Sequence, residues 1–223
     1  FKKIRKYTKI PICLDTEGAQ IRTVFKEKKF LKLNKLLKID NDLKSRNLKL
    51  YPDIFDKLRK GFILDVGFEN LKIKIIKKKK NFLVAKVISA GYLDNNKGVH
   101  IENKNIKLPP LTKKDLKAIE IGKKSGINHY ALSFTNSHKD VLFFNKILPR
   151  HKKFFKIETG NAIKNLSSIL KLCNNILIDR GDLSKDINLI NVPVAQRKIQ
   201  KLATKKQKKV YVATNLLESM VEK

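Results

Sequence analysis

The chain has 223 residues, 42% of them hydrophobic with twelve Phe, which is enough to build a core and too much for a disordered tail. No stretch approaches the roughly 20 apolar residues that span a bilayer, and the opening FKKIRKYTK lacks a signal peptide's apolar run, so a cytoplasmic protein without membrane contact is expected. The net charge of +31 attracts polyanions, but seven of the 51 basic residues are Arg and the 44 Lys are spread throughout, so nucleic acid is expected only as non-specific, charge-driven binding.

In chain order, PICLDT comes first and reads as a strand that delivers Asp15 and Thr16 at its end. The stretch KKFLKLNKLLKIDNDLK reads as helical or irregular. LKIKIIKKKKNFLVAKVI then alternates Ile73 and Ile75 against Lys72 and Lys74 and runs through Lys77 to Lys80 into a second β-like run. That pattern predicts a hairpin with a basic turn. Residues 24–103 are therefore expected to form an inserted β-rich domain. An insert at the carboxyl end of a barrel strand sits over the active site and acts as a lid.

From residue 105 the pattern alternates between helix and strand. LTKKDLKAIEIGKKSG reads as a helix, with Leu111, Leu116 and Ile119 on one stripe and Gly122 and Gly126 marking its end. Strand HYALS, helix SHKDVLFFNKIL, strand FFKIE and helix NAIKNLSSILKL follow. Strand ILID, a helix within VAQRKIQKLATKK, strand VYVAT and the start of a helix in LLESMVEK complete the chain. The strands begin near 129, 154, 176 and 210, which is the spacing of βα units. The expected fold is α/β with parallel strands, built from 1–23 and 104–223 around the insert.

Each of these apolar stretches ends in reactive polar residues: Ser133, the pair Lys156 and Glu158, Asp182, and Thr214. Polar groups at the carboxyl ends of successive parallel strands are how α/β barrels and sheets assemble active sites. In FFKIE, period-two alternation puts Phe154, Lys156 and Glu158 on one face and Phe155 and Ile157 on the other. Glu158 and Asp182 suit a Mg²⁺ shell, since Mg²⁺ takes hard oxygen ligands and keeps several waters. Lys156 would then neutralise a phosphoryl group in flight; the same residues would also serve as an internal ion pair. Cys13 and Cys173 lie in apolar patterns and are expected to be buried free thiols. The four His, at 100, 129, 138 and 151, form no metal-binding motif.

IETGNAIKNLSSIL, IDRGDLSKDI and VYVATNLLESM together resemble the barrel core of the pyruvate kinase family. LDTEGAQIRT resembles the segment after that family's third barrel strand, and KGVHI with LPPLTKKD resembles the stretch where its lid domain rejoins the barrel. The resemblance implies strands 3 to 7 of a TIM-type (β/α)8 barrel plus a lid-like insert. It also implies transfer of the phosphoryl group of phosphoenolpyruvate to ADP, giving pyruvate and ATP in glycolysis, with Mg²⁺ (or Mn²⁺) and K⁺. By that resemblance Lys156 stabilises the transferring phosphoryl group, and Glu158 and Asp182 hold Mg²⁺. Thr214 lies beside the substrate carboxylate and the carbon that is protonated, and Gly181 and Asp182 offer backbone N–H groups to that carboxylate. Asp15 and Thr16 match part of the K⁺ site, and Arg22 an arginine directed at the nucleotide phosphates. A homo-oligomer is implied for the full-length form.

The start on Phe1 rather than Met leads to the expectation of further chain upstream, where the family carries its first two barrel strands. Several residues depart from the family pattern. Glu17 stands where Lys is usual and Asn136 where a basic residue is common, and Asp179 replaces a small residue before RGD. A carboxylate at 179 would repel a substrate carboxylate by on the order of 1 kcal/mol or more. Two alternatives therefore stay open: another pyruvate- or enolpyruvate-type substrate at the same Mg²⁺ site, or a non-catalytic regulatory paralogue.

Overall fold

The computed structural model describes residues 1–42, 45–67, 70–102, 104 and 106–214. The chain divides into two compact units, one of Phe1–Ala19 with Pro109–Lys223 and the other of Gln20–Leu108. The first opens with helix α1 (Lys2–Arg5) and strand β1 (Cys13–Asp15). The expected helix start in LLESMVEK lies outside the described residues.

Among its described residues the second unit contains strands and one 3-10 turn. Its strands are β2 (Ile21–Val24), β3 (Lys29–Leu31), β4 (Leu36–Asp40), β5 (Lys49–Tyr51), β6 (Ile63–Val66), β7 (Leu71–Lys78), β8 (Phe82–Ser89), β9 (Gly91–Leu93) and β10 (Gly98–Ile101). Seven of them form an antiparallel sheet in the order β4-β8-β7-β6-β10-β2-β5, and β3 pairs with β9. A bridge between Ile39 and Leu48, with the Asp40 N–H donating to the Leu48 carbonyl at 2.9 Å, joins the two edges and nearly closes the sheet. Closure leaves few unpaired edge groups. Alternate residues point inward, so Leu71, Ile73 and Ile75 of β7 meet Leu83, Ala85 and Val87 of β8 in the core. The β7–β8 hairpin turns at the basic run, as the alternation predicts.

The stretch read as helical or irregular corrects to strand, since it contains β3 and β4. Its apolar positions fit a helical period almost as well as an extended one. Pairing decides: Asn34 turns the chain at φ 66°, and Ile39 lands opposite Leu83 in the closed sheet.

Back in the first unit the chain runs through α2 (Lys113–Lys124), β11 (His129–Leu132), α3 (His138–Ile147), β12 (Lys152–Ile157), α4 (Gly160–Lys164) and α5 (Leu166–Leu170). Then come β13 (Asn175–Asp179), α6 (Arg180–Ile187), α7 (Val192–Lys205) and β14 (Lys209–Ala213). The five strands form one parallel sheet in chain order, β1-β11-β12-β13-β14. Buried parallel strands need helical cover, and the alternation of apolar residues supplies its inner surface. Tyr130, Leu132, Phe155, Ile157, Ile176 and Ile178 pack against Ile119, Val141, Phe144, Ile169 and Ile199 of the helices. The rings of Phe144 and Phe155 meet edge to face at 5.8 Å. Among the described residues no helix is long and apolar enough to cross a membrane.

Four details differ from expectation. Leu116 is 41% exposed, and the buried side of α2 carries Asp115 and Ile119 instead. NAIKNLSSILKL is broken at Asn165, which ends α4 and begins α5. Asp182 does not close a strand but lies in the first turn of α6, because β13 stops at Asp179. Cys13 is exposed on the short first strand, whereas Cys173 is buried as expected.

Candidate active site

Strand β12 supplies the centre of the site. Phe155 and Ile157 point into the helix-covered core, so Lys156 and Glu158 emerge on the opposite face. Both are nonetheless buried, at 7% and 1% exposure. The Lys156 ammonium stands among three carboxylates: Oε1 of Glu158 at 2.9 Å, Oδ2 of Asp15 at 3.0 Å and Oδ2 of Asp179 at 3.3 Å. Oε2 of Glu158 accepts the backbone N–H of Phe134 at 2.5 Å, while Oε1 faces the Lys156 ammonium.

Electrostatics follow from this crowding. Burial opposes a charge on Lys156, but the carboxylates of Glu158 and Asp15 outweigh it and hold the ammonium well above its ordinary pKa. Burial pushes the Glu158 carboxyl up to about 7, against the lowering effects of Lys156 and the Phe134 N–H. The two directions pull against each other across one ion pair. The charge on Lys156 is the firmer of the two, because several carboxylates share it.

A second acidic group adjoins the first. Carboxylate oxygens of Glu158, Asp179 and Asp182 all lie within 4.8 Å of one another. Asp179 closes β13 and occupies the N-cap position of α6 without a side-chain capping bond, and Asp182 sits one turn on, bonded to Lys185 at 2.9 Å. Such a set of hard oxygen donors fits a Mg²⁺ or Mn²⁺ ion. Glu158 belongs to both groups, beside the Lys156 ammonium and within the acidic set.

At the other side of Lys156, β1 and β11 are tied together. Ser133 Oγ donates to Oδ1 of Asp15 at 3.0 Å, and the Ser133 N–H donates to Oγ1 of buried Thr16 at 3.2 Å. At the end of β14, Thr214 Oγ1 donates to Oδ1 of Asp179 at 2.8 Å. Thr214 has φ 67°, a costly conformation for a β-branched residue. Gly181 makes room for it, since a Cβ there would lie 2.7 Å from Thr214 Cγ2. The structure thus brings together Asp15, Thr16, Lys156, Glu158, Gly181, Asp182 and Thr214. Arg22 belongs to the other unit, on β2, and donates to the Asn96 carbonyl at 3.1 Å.

Sequence reasoning missed a residue that holds the site's first loop. Asp115, 3% exposed, accepts from the N–H groups of Glu17 (2.8 Å), Gly18 (3.3 Å) and Thr112 (2.9 Å) and from the Thr112 hydroxyl (2.8 Å). It clasps the loop after Thr16 to the start of α2. The Thr-x-x-Asp spacing is a capping-box signal, but the loop contact, 98 positions away at Glu17, leaves no local mark. The departure at Glu17 is offset by Lys114, 2.5 Å away.

The model of the family described as "Pyruvate kinase, barrel domain" matches residues 2–223. A pyruvate kinase of Lactobacillus delbrueckii subsp. bulgaricus is 33% identical over 225 residues, covering 95% of this chain and 38% of that protein. One of Geobacillus stearothermophilus is 31% identical over 224 residues, with the same shares. One of Staphylococcus aureus (strain USA300) is 30% identical over 234 residues, covering 97% of this chain and 40% of its own length. The chain therefore spans 38% to 40% of the length of these relatives.

Proposed function

Because this chain belongs to the pyruvate kinase family, we propose that it carries the active site of a Mg²⁺-dependent phosphotransferase that moves the phosphoryl group of phosphoenolpyruvate to ADP, giving pyruvate and ATP. The parallel sheet is read as strands 3 to 7 of a (β/α)8 barrel, and Gln20–Leu108 as its lid-like unit. The observation that carries the proposal is the buried Lys156 ammonium set among Glu158, Asp179 and Asp15, with Asp182 next to them.

In this reading Glu158 and Asp182 hold Mg²⁺ or Mn²⁺, which when bound neutralises charge on the phosphoryl oxygens. Lys156, fixed by its carboxylates, keeps a positive charge beside the group in transfer without reorganising. The backbone N–H groups of Gly181 and Asp182 belong to the first turn of α6, where no helical carbonyl satisfies them, and suit a ligand carboxylate. Asp15 and Thr16 contribute to a K⁺ site, Arg22 serves the nucleotide phosphates, and Thr214 serves the carbon that gains a proton. A cytoplasmic glycolytic homo-oligomer follows from the same premise.

A coupled assay of ADP-dependent pyruvate formation by the intact gene product tests this. Mg²⁺-dependent turnover that Lys156→Met lowers by roughly a hundred- to a thousandfold, on the order of the electrostatic effects in such sites, is the expected result. An unchanged rate in Lys156→Met would remove the mechanism. The Asp179 carboxylate beside Lys156 favours a second reading, in which the ion site serves another pyruvate- or enolpyruvate-type substrate. Tight Mg²⁺-dependent oxalate binding without nucleotide turnover supports that reading. Absence of any Mg²⁺ effect points to a non-catalytic paralogue.

A further inference from the structure

Asn136, which stands where the family commonly has a basic residue, lies in the loop between β11 and α3 and has a partner at each of its polar atoms. Its backbone N–H donates to Oδ2 of Asp140 at 2.9 Å, and its carbonyl accepts from Nδ2 of Asn165 at 2.9 Å. Its side-chain Nδ2 donates to the Phe134 carbonyl at 2.9 Å, and its Oδ1 accepts the hydroxyl of Thr159. A Lys or Arg side chain carries donors only and could not accept that hydroxyl.

The two side-chain bonds close a ring around Glu158. Thr159 follows Glu158 directly in the chain, and the Phe134 N–H donates to Glu158 Oε2 at 2.5 Å. Phe134 reaches it from the left-handed region, at φ 53°, where a bulky residue stays only when its surroundings hold it. The Asn136 amide grips the carbonyl of this strained residue. Next to it, the Thr135 N–H donates to the Lys156 carbonyl at 3.3 Å and fixes the same loop to β12. On the other arm, Thr159 Oγ1 accepts the Ala162 N–H at 3.0 Å as the N-cap of α4, which leaves its proton for Asn136. One carboxylate oxygen of Glu158 is thereby tied down, and the other faces Lys156.

We infer that Asn136 is a positioning residue that sets the affinity of the acidic group for a divalent ion, by holding Phe134 and Thr159 and through them the Glu158 carboxylate. This rests on the reading of Glu158 and Asp182 as Mg²⁺ or Mn²⁺ ligands. Groups that orient a metal ligand from behind are worth about ten- to a hundredfold in affinity, since the ion meets a carboxylate already aimed.

Mn²⁺ binding to the intact gene product without substrates, followed by the electron paramagnetic resonance of the free ion, tests the inference. Asn136→Ala is expected to raise the dissociation constant about tenfold or more, with the circular dichroism of the parent retained. Thr159→Val cuts the ring at its other link and is expected to weaken binding similarly, whereas Thr159→Ser keeps the hydroxyl and restores the affinity. Both links act through one carboxylate, so the double variant Asn136→Ala/Thr159→Val should lose no more than the worse single one, where independent effects would multiply. Parent-like affinity in Asn136→Ala, or in Thr159→Val should Asn136→Ala not fold, overturns the inference and leaves the cation reading in place. Multiplied losses in the double variant do the same. A parent protein that does not bind Mn²⁺ removes both.

Discussion

The Lys156 ammonium lies 2.9 Å from Oε1 of Glu158, with 9% and 0% of the two side chains exposed. Breaking a buried pair by deleting one partner leaves the other charge without compensation and costs about 3–5 kcal/mol. Lys156→Met is expected near the lower end of that range, because Glu158, already pushed up to about 7, can protonate. Urea unfolding at pH 8 is the measurement. A change under about 1 kcal/mol, the size of an exposed pair, would show that the pair is solvated.

If Glu158 and Asp182 hold a divalent ion, Mg²⁺ at a hundredfold excess over its Kd should stabilise the folded state by about 2.7 kcal/mol. That corresponds to a rise in melting temperature of roughly 5 °C or more. Glu158→Gln and Asp182→Asn are each expected to abolish the rise, whereas a surface change such as Lys124→Gln should not. A melting curve indifferent to Mg²⁺ in the parent protein would end the cation assignment.

Asp115 joins the loop after β1 to the start of α2 through four accepted hydrogen bonds. Bonds to charged groups contribute about 1.5–3 kcal/mol each, and orphaned donors add a desolvation cost. Asp115→Ala is therefore expected to destabilise by about 3 kcal/mol or more, and Asp115→Asn by less. Amide hydrogen exchange should show faster opening at Glu17 and Gly18 in both variants. Unchanged protection there would mean that the loop is held by other contacts.

Two histidines set a pH dependence. Burial, then Lys152, lowers the pKa of His129 below its ordinary 6.5. Burial, with Lys123 and Lys153, does the same for His151, which meets Tyr130 edge to face at 5.3 Å. The folded state prefers both rings neutral, so their contribution to stability is complete above 6.5 and is lost as pH falls through the lowered folded values. The raised carboxyl of Glu158 works in the opposite direction, so the comparison must be between proteins. Between pH 7.5 and 5, the parent should lose more stability than the double variant His129→Gln/His151→Gln. Parallel curves would refute the assignment.

Much of the site was readable from one strand. The alternation in FFKIE places Lys156 and Glu158 on a common face whatever the rest of the chain does, because extended backbone has a period of two. Asp182 and Thr214 were legible as polar residues after apolar runs, although β13 ends three residues before Asp182. The stretch holding β3 and β4 was not legible. Leu and Lys there satisfy helical and extended periods together, and only partners 42 to 64 residues away in β8 and β9 choose between them.

Taken alone, the sequence determined the alternation of helices and parallel strands, the β character of the Lys-rich hairpin and the shared face of Lys156 and Glu158. All of these depend on local periodicity and side-chain volume, which are carried by neighbouring residues. Tertiary structure decided which carboxylates surround Lys156. Asp15, 141 positions away, arrives through the order and register of β1, β11 and β12. The bond between Asp179 and Thr214, 35 positions apart, depends on β13 and β14 pairing with Asp179 opposite Ala213. Register is a property of paired strands, so no single segment carries it.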